Sequence, residues 1–469
     1  MIGSERARRA AGLGGLVAGQ GLRWAGTRAA NTVRGTDRAQ AASERRTMAT
    51  ADEIVERLGS MKGAAMKLGQ VLSTVDMGLV PEAEREAFKT KLGALRDAAE
   101  PVAFADVRKV LEADLGRPLT EAFASFEQEA FAAASIGQVH RARTHDGAQV
   151  AVKVQYPRIA EAVEADLRNI NVLFPLIRRM APGLDVKAVT NELRSRISEE
   201  LDYELEAQSQ RRIARAFRGH PFIHVPAVHT ALCGRRVLVT DYVEGIGFDE
   251  VKRLPEDQRD RFGEIVFRFF FSVLHRLSTS LGDPHPGNYL LRPDGRVCFL
   301  DFGLLRRMNE RHLADERALS LAVADGDAGR VHERLSALGY LPAGEPFDAA
   351  MLLAQVQAAS SWMLGDSFTR LTPDIVRASI EVAGSPRSPF FEQMRRQTLP
   401  PQSLLLRRME GLLFAILGEL RAGADWTAIT DEQLRGAAPG TPLGVQDAAF
   451  WQARRAGQPS RARSSRKPG

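Results

Sequence analysis

A chain of 469 residues with 44% hydrophobic side chains has ample material for a large core. Its length predicts two or three domains, or one two-lobed enzyme with extensions. The net charge of +6 is a mild excess that excludes a strongly polyionic protein. It gathers in an arginine-rich head (Arg6, Arg8, Arg9, Arg23, Arg28, Arg34, Arg38, Arg45, Arg46) and tail (Arg461, Arg463, Arg466, Lys467). Solvated ends that could touch an anionic membrane peripherally are expected, and a nucleic-acid partner is not. No run reaches the roughly eighteen apolar residues of a spanning helix. Cys233 and Cys298 are the two cysteines, both in apolar strand-like runs, which predicts a cytoplasmic protein without a structural disulfide.

Residues 1–48 show scarcely any periodicity and read as an Arg/Ala/Gly-rich extension. Its run Leu13–Val17 is too interrupted by Arg23 and Arg28 for a signal or an anchor, leaving a weak interfacial helix open. From Ala51, apolar residues recur at spacings of three and four (Ile54, Leu58, Met61, Ala65, Leu68, Leu72). That pattern predicts a helix on which Lys67 and Gln70 share a polar face. A second helix follows from Pro81 to about Leu95 and a third spans Phe104–Leu115, so 49–118 is a helical element.

Residues 119–240 read as a strand-rich first lobe. The small residues Ala132, Ala133, Ala134 and Ser135 would let backbone N–H groups approach phosphate oxygens, alanine with less freedom than glycine. Asp146-Gly147 turns the chain into Gln149–Gln155. Alternation there puts Val150, Val152 and Val154 on one face and Ala151 and Lys153 on the other. Lys153 would stand beneath the loop, suited to α/β-phosphates.

Residues 160–215 read as helical and carry a run of acids that includes Glu200, Asp202 and Glu206, with Asp202 and Glu206 on one face. One of these acids could pair with Lys153. Arg236–Thr240 is a further strand, and in a two-lobed kinase the backbone of Asp241 to Val243 would hydrogen-bond adenine. Residues 241–435 read as a helical second lobe: a buried Phe-rich helix from Arg259 to Leu281, then helices after Gly303 to about Leu420. Gly and Pro cluster at 435–443, and 436–469 reads as a basic tail.

The chemistry concentrates in Gly282-Asp283-Pro284-His285-Pro286-Gly287-Asn288 and in Asp301-Phe302-Gly303. Between them two short apolar strands flank Pro293-Asp294-Gly295, the signature of a hairpin. A hairpin returns the chain to its starting edge, so Asp283, Asn288 and Asp301 can converge. Two carboxylates and a carboxamide supply hard oxygen ligands for Mg²⁺ and a group to steer a proton, the layout of phosphoryl transfer.

In order, Lys67-Leu68-Gly69-Gln70, the loop Ala132–Ser135 with Ile136-Gly137-Gln138-Val139-His140, Val150–Gln155, Glu200-Leu201-Asp202-Tyr203, Asp283–Asn288 and Asp301-Phe302-Gly303 resemble the UbiB (AarF/ADCK-type) atypical kinase-like family. The match runs from about Ala51 to Leu420. The resemblance implies an α+β, two-lobed protein-kinase-like fold, predominantly helical, with an N-terminal helical KxGQ extension. It implies that Lys153 binds phosphates and pairs with Glu206, with Glu200 as the rival partner. Lys67 and Gln70 would enter the cleft near Glu200 and Asp202 and occlude a peptide substrate. Asp283 would match the catalytic aspartate, with Asn288 and Asp301 as Mg²⁺ ligands. Gly282 replaces a common alanine, and Gln208-Ser209-Gln210 stand where relatives often carry Asn. Many bacterial relatives end in membrane spans, whereas this chain ends in a basic tail.

The implied activity is that of an ATP- and Mg²⁺-dependent kinase-like ATPase or phosphotransferase supporting isoprenoid-quinone or related lipid metabolism. An isoprenoid lipid or quinone precursor would be its partner. A protein or small-molecule kinase shares every ligand, and a nucleotide-switched scaffold without turnover is the third reading; the intact Lys153, Asp283, Asn288 and Asp301 weigh against the last. The sequence is compatible with a monomer or a homodimer.

Overall fold

Alternating valines decide how the first part of the chain packs. A computed structural model describes residues 102–134, 136–161, 164, 201–282, 284–365, 368–384 and 388–456. The expected helices before residue 102, the acidic run through Glu200 and the last residues of the tail lie outside the described residues, as do Lys67, Gln70, Ser135 and Asp283. The chain divides into two compact units. The first takes residues up to Arg211 with Ala227–Tyr242 and Phe302–Leu304; the second takes Arg212–Pro226, Val243–Asp301 and the chain from Leu305.

In the first unit four antiparallel strands stand in the order Ser125–Ala134, Gly137–Arg143, Gln149–Gln155 and Val237–Asp241. Val150, Val152 and Val154 are fully buried, as the alternation predicts. They meet Val107, Val110 and Leu111 of the helix Phe104–Leu115 in a cluster that also includes Val237 and Val239. β-Branched side chains suit this half-buried pleated surface. The helix ends at Gly116, whose φ of +66° is the left-handed cap that glycine adopts without steric cost.

The second unit is built around Glu256–Leu277, which is buried all round from Phe262 to Leu274. Phe269 stacks on Phe299 with ring centroids 3.6 Å apart, and Phe267 on Phe271 at 4.1 Å. Of the charges that interrupt this helix, Arg268 is satisfied. Arg268 donates to Glu264 at 2.7 Å, to both oxygens of Glu432 at 2.6 and 3.0 Å and to Thr441 at 2.9 Å. Such a buried cation is tolerable only when fully paired. Among the described residues no helix is long and apolar enough to cross a membrane.

Three expectations change here. The Phe-rich helix starts at Glu256 and stops at Leu277 rather than Leu281, because Ser278 takes a left-handed φ of +47°. Thr279–Leu281 then pairs antiparallel with Leu305–Arg307, so the chain after Gly303 does not begin as helix. Finally, part of the expected tail, Pro442–Ala456, is a packed helix. Its Asp447 carboxylate accepts the Nε2–H of His220 at 3.0 Å and the Trp451 indole N–H at 3.0 Å, and lies 3.3 Å from Arg276. The Nδ1 of His220 accepts the Ile223 amide at 3.2 Å, which puts the imidazole proton on Nε2. Burial alone would raise the Asp447 carboxyl, but the His220 hydrogen bond and the Arg276 charge outweigh it and hold it low.

Candidate functional site

Lys153 projects from the face of its strand opposite the three valines. Its Nζ donates to both carboxylate oxygens of Glu206 at 2.9 Å and lies 4.8 Å from the Tyr203 ring centroid. Glu206 is 5% exposed and the Lys153 side chain 25%, so the buried acid fixes a cation whose face remains reachable. Glu206 sits in the first turn of the helix Tyr203–Ala216. Asp202 is occupied differently: its Oδ1 accepts the amides of Glu204 at 3.0 Å and Leu205 at 3.3 Å. It therefore acts as a helix N-cap instead of sharing a helix face with Glu206. Its other neighbour is Arg235, at 3.8 Å.

The alanine run forms one arm of a hairpin. Ala132, Ala133 and Ala134 pair with Val139, Gln138 and Gly137. A Cβ on Gly137 would lie 2.1 Å from the carbonyl oxygen of Val154, so only glycine permits this approach to the lysine strand. Gly137→Ala is expected to destabilise the protein by about 1–3 kcal/mol, read as a lower urea midpoint. A wild-type midpoint would show that the hairpin does not need this contact.

Below the hairpin runs a buried polar chain that sequence reading misses. The Val102 amide donates to Gln138 Oε1 at 3.0 Å, Gln138 Nε2 contacts His140 Nε2 at 3.0 Å, and His140 Nδ1 contacts the Glu127 carbonyl at 2.9 Å. The consistent assignment is a neutral imidazole protonated on Nδ1; burial lowers its basicity. The polar pair at alternate positions inside an otherwise apolar face was the available signal.

At the connector, Asp241 N–H donates to Ala227 O at 2.9 Å and Tyr242 N–H to Gln149 O at 3.0 Å. The Asp241 carboxylate takes His229 Nε2 at 2.8 Å and the Ala227 amide at 3.1 Å. Of the backbone groups from Asp241 to Val243 expected to hydrogen-bond adenine, the Asp241 and Tyr242 amides are thus occupied within the first unit.

In the second unit the expected hairpin is present. Tyr289–Leu291 pairs with Val297–Phe299, and Gly295 turns the chain at φ +77°. Asp294 holds the turn with hydrogen bonds from the Arg296 guanidinium at 2.9 and 2.7 Å, which lower its carboxyl pKa. Ile223–His224 adds a parallel strand beside Val297–Phe299. Asn288 ends the turn Pro286–Asn288, and its carbonyl accepts the Leu300 amide at 3.0 Å. That bond closes the hairpin base and brings Asn288 Nδ2 within 3.3 Å of Asp301 Oδ2. His285 Nδ1 accepts the Gly287 amide at 3.1 Å. Cys298 is buried with its thiol pushed up to about 12, so it packs and does not react.

Among the described residues no cluster of three or more His, Cys, Asp or Glu could hold a metal. A carboxamide beside one carboxylate still fits Mg²⁺, which retains several waters and takes one or two carboxylates together with substrate phosphates. Asn288 and Asp301 would hold such an ion; Lys153, already fixed by Glu206, suits phosphate oxygens.

Residues 94–335 match the family model of the ABC1 atypical kinase-like domain. The chain is 32% identical over 371 residues to the mitochondrial atypical kinase COQ8B of Rattus norvegicus, covering 76% of this chain and 69% of that protein. It is 28% identical to the mitochondrial atypical kinase coq-8 of Caenorhabditis elegans, with 80% of this chain and 49% of that protein covered. The chain therefore spans about two thirds or less of the length of these relatives. A solved Mycobacterium tuberculosis structure, the Rv3197–erythromycin complex, superposes with a TM-score of 0.61 at 28% identity. It covers 85% of this chain and 98% of its own.

Proposed function

Because the chain belongs to the ABC1 (UbiB-type) atypical kinase-like family, with its α+β kinase-like fold, we propose that it binds ATP with Mg²⁺ and releases or transfers the γ-phosphate. The observation that carries this reading is Lys153, gripped through both oxygens of Glu206 on a strand beside the small-residue hairpin. A lysine so fixed presents a directed positive charge to phosphate. Asn288 and Asp301 would hold Mg²⁺, which when bound would supply positive charge to neutralise the phosphates. Asp283 orients the attacking hydroxyl or water and receives its proton.

The resemblance extends the reading to isoprenoid-quinone or related lipid metabolism, with a lipid or quinone precursor as partner and peripheral membrane contact through the basic ends. By the same resemblance Lys67 and Gln70 would cover the place where a peptide would lie, which favours ATP hydrolysis over protein phosphorylation. The test is phosphate release from Mg-ATP by the full chain, with and without anionic liposomes or a phenol-like quinone-precursor mimic. Release that rises with either addition is expected. Label appearing on a cell-extract protein would move the reading to a protein kinase. Tight ATP binding without turnover under any condition would move it to a nucleotide-switched scaffold.

A further inference from the structure

The strand that carries the alanine run does not pair with its neighbour in a single register. Its pairing with Gly137–Arg143 shifts between Phe126 and Ala130 and again between Ala130 and Ala132. A bulge of this kind leaves a ladder group unpaired and re-aims the strand beyond it. The Glu127 carbonyl lies inside the first shift, and His140 Nδ1 meets it at 2.9 Å. Ala132, Ala133 and Ala134, the residues expected to approach phosphate, follow that bulge.

His140 is fully buried on the valine face of the sheet, opposite Val152. The Phe104 and Phe126 rings lie 5.9 and 5.2 Å from its own. Charged side chains on the surrounding elements turn away from it. Asp106, Arg108 and Lys109 of the helix and Glu127 and Glu129 of the first strand are exposed. Glu112 pairs with Arg108 and Asp114 with Arg236, while Arg141 and Lys153 alternate onto the other face.

The hydrogen-bond order of this chain has one solution. Its two ends are backbone groups of fixed sense: the Val102 N–H can only donate, and the Glu127 carbonyl can only accept. Gln138 must therefore turn its oxygen to Val102 and its NH₂ to His140. The imidazole must then offer a lone pair at Nε2 and carry its proton on Nδ1. A second proton, on Nε2, would face the Gln138 NH₂. Flipping the carboxamide would only move the conflict to the Val102 amide.

We propose that neutral His140 is a positioning residue for nucleotide binding: by holding the Glu127 carbonyl it sets the bulge ahead of Ala132–Ala134, with Gln138 keeping the imidazole neutral, so that protonation of His140 weakens the nucleotide. This rests on the nucleotide reading above. Burial acts in the same sense and lowers the imidazole from its ordinary value. The neutral chain is thus fully present above about pH 6.5 and is lost as the pH falls through the lowered folded value.

The test follows the His140 imidazole by NMR in the full chain, identified by its loss in His140→Gln, with and without Mg-ATP. Binding and protonation are reciprocal. Mg-ATP is therefore expected to lower the His140 titration by roughly half to one pH unit, the counterpart of a roughly three- to ten-fold weaker affinity of the protonated form. A histidine that only packs would titrate alike in both. Gln138→Glu supplies a carboxylate that accepts from Val102 and from an imidazolium together, so its His140 should titrate above about 6.5. Its ATP affinity relative to wild type should rise as the pH falls from about 8 to about 5.5, a ratio that cancels the titration of the nucleotide itself. The wild-type titration decides even if the variant does not fold. A His140 titration unmoved by Mg-ATP, or ATP affinities of wild type and Gln138→Glu that run parallel with pH, would overturn the proposal. Wild-type protein that binds no Mg-ATP at any pH would overturn the nucleotide reading, a failure seen before either titration is compared.

Discussion

Asp301→Asn is expected to lower Mg²⁺-dependent phosphate release from ATP by roughly a hundred-fold or more, in line with losing a metal ligand and the charge stabilisation it anchors. The substitution is nearly isosteric. The Asn288 Nδ2 donor, 3.3 Å from Asp301 Oδ2, would still find an amide oxygen, so the hairpin base should persist. What disappears is the negative charge that would make a hard-cation site from a carboxylate and a carboxamide. ATP affinity should become insensitive to Mg²⁺, and the thermal midpoint should stay close to wild type. A variant with unchanged turnover and unchanged Mg²⁺ dependence would remove Asp301 from the metal site.

The largest structural effect is expected from Asp447→Ala. Its carboxylate takes hydrogen bonds from His220 and Trp451 and lies beside Arg276, with 2% of the side chain exposed. Alanine would leave buried N–H donors and a partly buried guanidinium without an acceptor. Breaking one side of a buried charged network costs on the order of 3–5 kcal/mol. The urea midpoint should fall accordingly, or folding should fail. Asp447→Asn retains an acceptor oxygen and should lose distinctly less. Equal midpoints for wild type and Asp447→Ala would mean that the helix Pro442–Ala456 does not hold the second unit together.

Which parts of this structure a reader of the sequence could see depended on how local the determinants were. Val150, Val152 and Val154 announce their buried face by period two, so the placement of Lys153 opposite them was legible. Pro293-Asp294-Gly295 announced the hairpin that joins Asn288 to Asp301. The partner of Lys153 was not decidable from spacing, since several acids follow one another. The structure pairs Lys153 with Glu206, while Asp202 is consumed as an N-cap.

Long-range features left fainter traces. The parallel strand Ile223–His224 is too short to show a period. The helix Pro442–Ala456 begins at a Gly/Pro cluster and runs into basic residues, which read as a tail. Its signal was Asp447 and Trp451, four residues apart and hydrogen-bonded on one helix face. Likewise, the apolar run after Phe271 gave no sign that Ser278 would end the helix and hand Thr279–Leu281 to a strand.

A calorimetric titration of the full chain with ATP, in the presence and absence of Mg²⁺, tests the account at its centre. Saturable binding that tightens when Mg²⁺ is added, and that Lys153→Ala weakens, is the predicted result. An absence of saturable binding, or binding indifferent to both Mg²⁺ and Lys153, would contradict it.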